Sequence, residues 1–112
     1  MNAASEKRVI PLKLAQQCSR AVRLRAMYAL APPAEMRLAR RVTIEEIPPR
    51  EAFVTLIANT FNGVIVDPGR LERQAEQTAA YLQAAPLRKL TYPRSLAMLA
   101  EVRRAILADC QP

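Results

Sequence analysis

Histidine does not occur in the 112 residues, and its absence removes whole classes of chemistry. A His general base, a Ser-His or Cys-His nucleophile and a His-ligated zinc cannot be assembled within one such chain. Glycine occurs only as Gly63 and Gly69, so no glycine-rich loop is available to cradle phosphates. The two cysteines, Cys18 and Cys110, are too few for a four-thiolate metal site. They form one bridge only if the ends of the chain meet, and the simpler expectation is two reduced, small buried groups. Tryptophan is absent and the aromatics are Tyr28, Phe53, Phe61, Tyr81 and Tyr92. No apolar run approaches the ~20 residues that span a bilayer. The leading Met-Asn-Ala-Ala-Ser-Glu-Lys-Arg lacks the hydrophobic stretch of a secretory signal. These observations predict a cytoplasmic protein with no membrane span, no cofactor and no catalytic role.

What the chain does have is positive charge in one place. Residues 7–41 carry nine basic side chains (Lys7, Arg8, Lys13, Arg20, Arg23, Arg25, Arg37, Arg40 and Arg41) against the single acid Glu35. From residue 42 onward eight basic residues face eight acids. The net charge of +7 is therefore confined to the first third, which is the footprint of a protein that meets a polyanion. Arginine outnumbers lysine fourteen to three, a bias that a GC-rich genome also produces. The choice of arginine by itself therefore carries no argument.

Proline supplies the punctuation. Pro11, Pro32-Pro33, Pro48-Pro49, Pro68, Pro86 and Pro93 cut the chain into proline-free segments, and proline belongs at helix edges rather than interiors. The segmentation predicts an all-α fold, a small bundle of about five helices. A flexible stretch over 1–11 precedes a single helical domain over 12–112. The first helix is expected over Leu12–Ala31, with Leu14, Cys18, Ala21, Val22, Tyr28 and Ala29 facing inward and Lys13, Arg20 and Arg23 outward. Arg25 falls on the apolar side, so it needs a partner, a route to solvent or an interface.

A short second helix over 34–41 turns Met36 inward and Arg37, Arg40 and Arg41 outward. Thr43–Ile47 fits either a brief extended segment or a helical turn. A third helix over Pro49–Asn62 buries Phe53, Leu56, Ile57 and Thr60 and is capped by Gly63. Val64-Ile65-Val66 reads as a buried connector. Asp67-Pro68 is a strong start for a fourth helix, Pro68–Ala85, with a seam of Leu71, Ala75, Thr78, Leu82 and Ala85. That seam serves either the core or a dimer. A last helix over Pro93–Cys110 presents Leu96, Leu99, Arg103 and Ile106, with Val102 beside them. Alanine supplies twenty residues and buries little area per side chain, so stability is expected to be modest and a homo-oligomer or larger complex stays open.

Lys13, Arg20, Arg23, Arg37, Arg40 and Arg41 form the candidate binding sector, because acid-free basic faces neutralise phosphates and release counterions. Groove reading by a helix-turn-helix is disfavoured: Pro32-Pro33 replaces the tight turn, and base-reading Asn or Gln are lacking on the helix that follows. The tyrosines are too scattered for a stacking platform on single strands. Glu45, Glu46 and Glu51 suit magnesium or acid–base work only with a further convergent group, and otherwise pair with Arg40, Arg41 and Arg50. A membrane surface is disfavoured because the basic helix has no Trp or Phe anchor. The expected function is a non-catalytic accessory or regulatory protein, of bacterial or phage type, that binds the phosphate backbone of DNA or RNA. The alternative is an adaptor or inhibitor whose basic face docks an acidic protein partner.

Overall fold

A computed structural model describes residues 8–60 and 67–111. Helix α3, Pro68–Ala84, begins where the sequence signals it: Asp67 Oδ1 accepts the Gly69 N–H at 3.0 Å and Pro68 occupies the first turn. It ends because Ala85 precedes Pro86, and a residue before proline is pushed out of the α region. Ala85 accordingly sits at φ −151°, ψ 147°. The chain leaves extended and forms strand β3, Leu87–Thr91. Pro86 contributes to the sheet as well, its carbonyl accepting the Met27 N–H at 2.8 Å.

Strand β1 is Met27–Leu30 and strand β2 is Thr43–Glu46. The order in the sheet is β1-β3-β2, so the last strand in sequence lies in the middle. β1 runs parallel to β3 with Met27 opposite Leu87 and Leu30 opposite Leu90. β2 runs antiparallel to β3 with Glu45 opposite Lys89 and Glu46 opposite Arg88. The opposite charges face one another across the strands, a favourable cross-strand arrangement. Between β1 and β2 lies the short helix α1, Pro33–Leu38, which buries Met36. Helix α2, Pro49–Thr60, pairs with α3 as a hairpin that crosses from β2 to β3. Helix α4, Leu99–Asp109, follows a 3₁₀ turn at Leu96–Met98 whose Ser95 Oγ accepts the Ala97 N–H.

Paired residues share a face of a sheet. Met27, Ala29 and Leu87 lie on one face and line a cavity with Thr55, Leu56 and Asn59 of α2. Tyr28, Arg88 and Leu90 lie on the other, where Tyr28 and Arg88 reach the end of α4. The sheet is thus covered on both sides, and Leu87 and Leu90, on opposite faces, are both buried. The remaining buried side chains among the described residues are Ala31, Met36, Ala52, Thr78, Ala85 and Val102. This core is small and rich in alanine.

The fold is therefore α/β, not the all-α bundle expected from the proline spacing. Two helical expectations fail. Over 12–31 the chain forms a 3₁₀ turn at Leu14–Gln16, runs irregular and exposed to Arg25, and enters β1. Most of the stripe assigned inward is open to solvent: Leu14 is 88 % exposed, Val22 71 %, and Cys18 and Ala21 are exposed, whereas Tyr28 and Ala29 are half-buried as part of β1. A helix of this length is marginal in water unless tertiary packing buries its apolar face, and no element among the described residues covers residues 12–25. The last helix starts at Leu99 instead of Pro93, leaving Leu96 exposed while Val102 packs inward.

Other expectations hold or are resolved. The second helix, expected over 34–41, is α1 and ends at Leu38 with Met36 inward. The third is α2, where Phe53, Leu56 and Ile57 are half-buried and Ala52 is buried. Thr43–Glu46 takes the extended alternative. The α3 seam faces the core, with Thr78 and Ala85 buried, Ala75 and Leu82 half-buried, and Leu71 at the exposed end. The Gly63 cap and the Val64-Ile65-Val66 connector lie outside the described residues. No helix among the described residues is long and apolar enough to cross a membrane.

Candidate nucleic-acid interface

The six candidate cations are all exposed, but two helices do not carry them. Lys13 precedes the 3₁₀ turn, its N–H donating to Gln16 Oε1 at 3.0 Å. Arg20 and Arg23 follow on the irregular arm that leads into β1. Arg37 is on the last turn of α1, and Arg40 and Arg41 come after that helix has ended at the extended residue Ala39. The proposed single basic face over two helices is thereby corrected to two groups. Arg23 lies before the first residue of β1 and Arg37, Arg40 and Arg41 lie beyond its last, so a strand about 10–13 Å long separates them.

The N-terminal group is larger than the sequence suggested. Arg23 lines an open groove of about 350 Å³ together with Arg25, Arg88, Pro86 and Asp109. Arg25 finds the partner its position demanded: its Nε donates to the Cys110 carbonyl at 2.9 Å, a favourable use of a cation at a helix C-terminus. Arg88, which periodicity did not single out, donates from Nη1 to Asp109 Oδ2 at 2.7 Å. The same oxygen accepts the Tyr28 hydroxyl at 2.5 Å, and that hydroxyl lies 3.2 Å from Cys110 Sγ. Hydrogen bonds from Tyr28 and Arg88 outweigh desolvation and hold the Asp109 carboxyl below its ordinary range. Desolvation first, then the bond to Asp109, pushes the Tyr28 phenol well above its usual value. Cys110 is half-buried in this network and Cys18 is exposed, its Sγ donating to the Arg20 carbonyl at 3.0 Å. Both are free thiols.

The single acid of the basic third is also accounted for. Glu35 on α1 pairs with Lys89 on β3, and this hydrogen bond is the main reason the Lys89 ammonium titrates above its usual value. Charges on Glu45 and Glu51 add to it. Lys89 therefore lies near Glu45 and Glu51, and among the described residues none of Glu45, Glu46 and Glu51 forms an ion pair with Arg40, Arg41 or Arg50. Among the described residues no group of three or more His, Cys, Asp or Glu is placed to hold a metal ion. The ion pairs found there are Arg88–Asp109 and Lys89–Glu35, and none of the six candidate cations takes part.

Comparison with known proteins finds no family model, no curated protein and no solved structure that matches this chain.

Proposed function

We propose that the protein is a cytoplasmic, non-catalytic accessory or regulatory protein that binds the phosphate backbone of nucleic acid. Its binding cations are Lys13, Arg20 and Arg23 on the exposed arm and Arg37, Arg40 and Arg41 at and beyond the end of α1. One observation carries the reading: Glu35, the only acid in residues 7–41, is taken by Lys89 from outside that segment. The candidate cations are left exposed and without an acidic partner among the described residues. Uncompensated cations of this kind release counterions from a phosphate backbone and supply affinity that does not depend on base sequence.

The test is a gel shift with random duplex and single-stranded oligonucleotides across a salt series. Binding at low salt that weakens steadily with added salt is the expected result. Absence of binding to any oligonucleotide at low salt sinks the reading.

A second reading, docking of the basic arm on an acidic protein partner, is favoured by a different observation. Aliphatic side chains stand in solvent among the cations, Val9 at 94 % and Ile10 at 80 % exposure. Side chains of this kind gain from an apolar protein surface and gain little from a phosphate backbone. Binding to poly-glutamate but to no oligonucleotide is the outcome that selects this reading.

A further inference from the structure

We infer that Arg23, Arg25 and Arg88 form a notch for a phosphate monoester, the terminal phosphate of a nucleic-acid strand. The choice of ligand carrier rests on the proposed function, whereas the anion specificity rests on the notch itself. The three guanidinium groups come from two segments distant in sequence, the arm before β1 and the central strand β3, and they line one groove of about 350 Å³. Its lining is more polar than apolar, which suits a charged group better than an apolar ring system.

Two of the three arginines are already oriented. Arg25 is fixed by its Nε donating to the Cys110 carbonyl, which leaves both terminal nitrogens of its fork to donate elsewhere. Arg88 is half-buried and fixed through one nitrogen by Asp109. Arg23 has no hydrogen bond or ion pair among the described residues, and it is exposed. A ligand that recruits Arg23 therefore orders one side chain and finds two in place, which lowers the entropic cost of binding.

Charge selects the ligand. The groove holds three guanidinium groups, one carboxylate, and the carbonyl end of α4, which carries roughly half a negative charge. The surplus is about one and a half positive charges. A phosphodiester brings one negative charge, whereas a phosphate monoester brings about −1.5 to −2 at neutral pH and three acceptor oxygens. The monoester matches the surplus, and its oxygens match the forked donors of arginine. Asp109 accepts from Arg88 through Nη1 alone, which leaves the other guanidinium nitrogens of Arg88 to donate to a ligand.

The experiment measures the full chain by fluorescence anisotropy against one labelled oligonucleotide prepared with a 5′-phosphate, a 3′-phosphate or hydroxyl at both ends. At least one phosphorylated form should bind about tenfold more tightly than the hydroxyl form, the effect of one charge-assisted contact set. Arg23→Gln should bring that ratio to near one. Arg37→Gln should weaken all three forms alike and leave the ratio standing. Equal affinities for all three forms overturn the notch while leaving backbone binding intact. If no oligonucleotide binds, the notch is tested alone with inorganic phosphate. A thermal shift in phosphate that exceeds the shift in chloride of equal ionic strength, and that Arg23→Gln removes, upholds it. No such difference overturns it. Because Arg23 is exposed and unpaired among the described residues, its replacement leaves the unfolding temperature without ligand unchanged, so loss of the ratio cannot come from misfolding.

Discussion

The phenol of Tyr28 on strand β1 donates to the carboxylate of Asp109 in the last turn of α4, across 2.5 Å. The bond joins an edge strand formed early in the sequence to a helix formed at its end. Arg88 on the central strand meets the same carboxylate oxygen at 2.7 Å. One acid thereby ties two strands to the helix that covers their face, beside a core that buries few large side chains.

Replacing Tyr28 by Phe keeps the ring and removes the donor. Asp109 retains Arg88, so the expected cost is about 1 kcal/mol, the ordinary net value of one hydrogen bond. Asp109→Ala removes the partner of both groups and should cost more. Urea midpoints for the two variants measure the difference, and a Phe variant as stable as the parent removes Tyr28 from the tie.

The same cluster sets a pH window. Asp109 titrates below its ordinary range in the folded protein. Its contribution is complete above the unfolded value near 3.9 and is lost as pH falls through the lower folded value. Tyr28 and Lys89 titrate above their ordinary values, so their contributions are complete below about 10 and lost as pH rises further. Urea denaturation from pH 3 to pH 11 should show a plateau with a loss at each end. The Phe variant should soften the alkaline loss while the Lys89 part of it remains.

Backbone binding makes a quantitative demand on salt. With four to six of the candidate cations engaged, the log–log slope of affinity against salt should be about −4 to −5 on duplex DNA, at roughly −0.9 per contact. Changing Arg40 and Arg41 together to glutamine should flatten it by nearly two. The same change at Arg70 and Arg73 on α3 should do almost nothing, since Glu72 and Glu76 are on the same helix. Equal losses from both pairs would show a diffuse field instead of a localised interface.

The two cysteines should differ in reactivity. Cys18 is exposed on the arm, whereas Cys110 is half-buried beside the Tyr28 hydroxyl. A thiol reagent added to the native protein should modify Cys18 first and Cys110 slowly, with both rates equal in denaturant. Cys18→Ala should leave stability unchanged, contrary to what its place in a helical pattern implied.

How much of this was legible in the sequence depended on whether a signal was local. Asp67-Pro68 marked the start of α3 because capping and proline geometry act within a few residues, and Pro48-Pro49 marked α2 for the same reason. The strands were hidden for a physical cause. A sheet covered on both faces loses the alternation of apolar and polar residues that reveals a half-exposed strand. Met27-Tyr28-Ala29-Leu30 is apolar on both sides, and Leu87-Arg88-Lys89-Leu90 buries two leucines on opposite faces. Cations at Arg88 and Lys89 further disguise the central strand, since their partners Asp109 and Glu35 are distant in sequence. The charge asymmetry was legible, but its geometry was not. Arg23 and Arg25 meet Arg88 only because β1 pairs with β3, a contact no local pattern encodes.

The position of β3 between the other two strands has a consequence for how the protein acquires its shape. Neither β1 nor β2 has a sheet partner until residues 87–91 arrive. During synthesis α2 and α3 can form their hairpin, but β1 waits with its hydrogen-bonding edge unmet while most of the chain is made. The parallel register that joins Met27 to Leu87 closes a loop that encloses α1, α2, α3 and β2. Such closure loses chain entropy before any contact compensates for it, so folding is expected to be slower than for a helical bundle of equal length. The strand that arrives late thus acts as a commitment step: before it docks there are helices, and after it there is a fold.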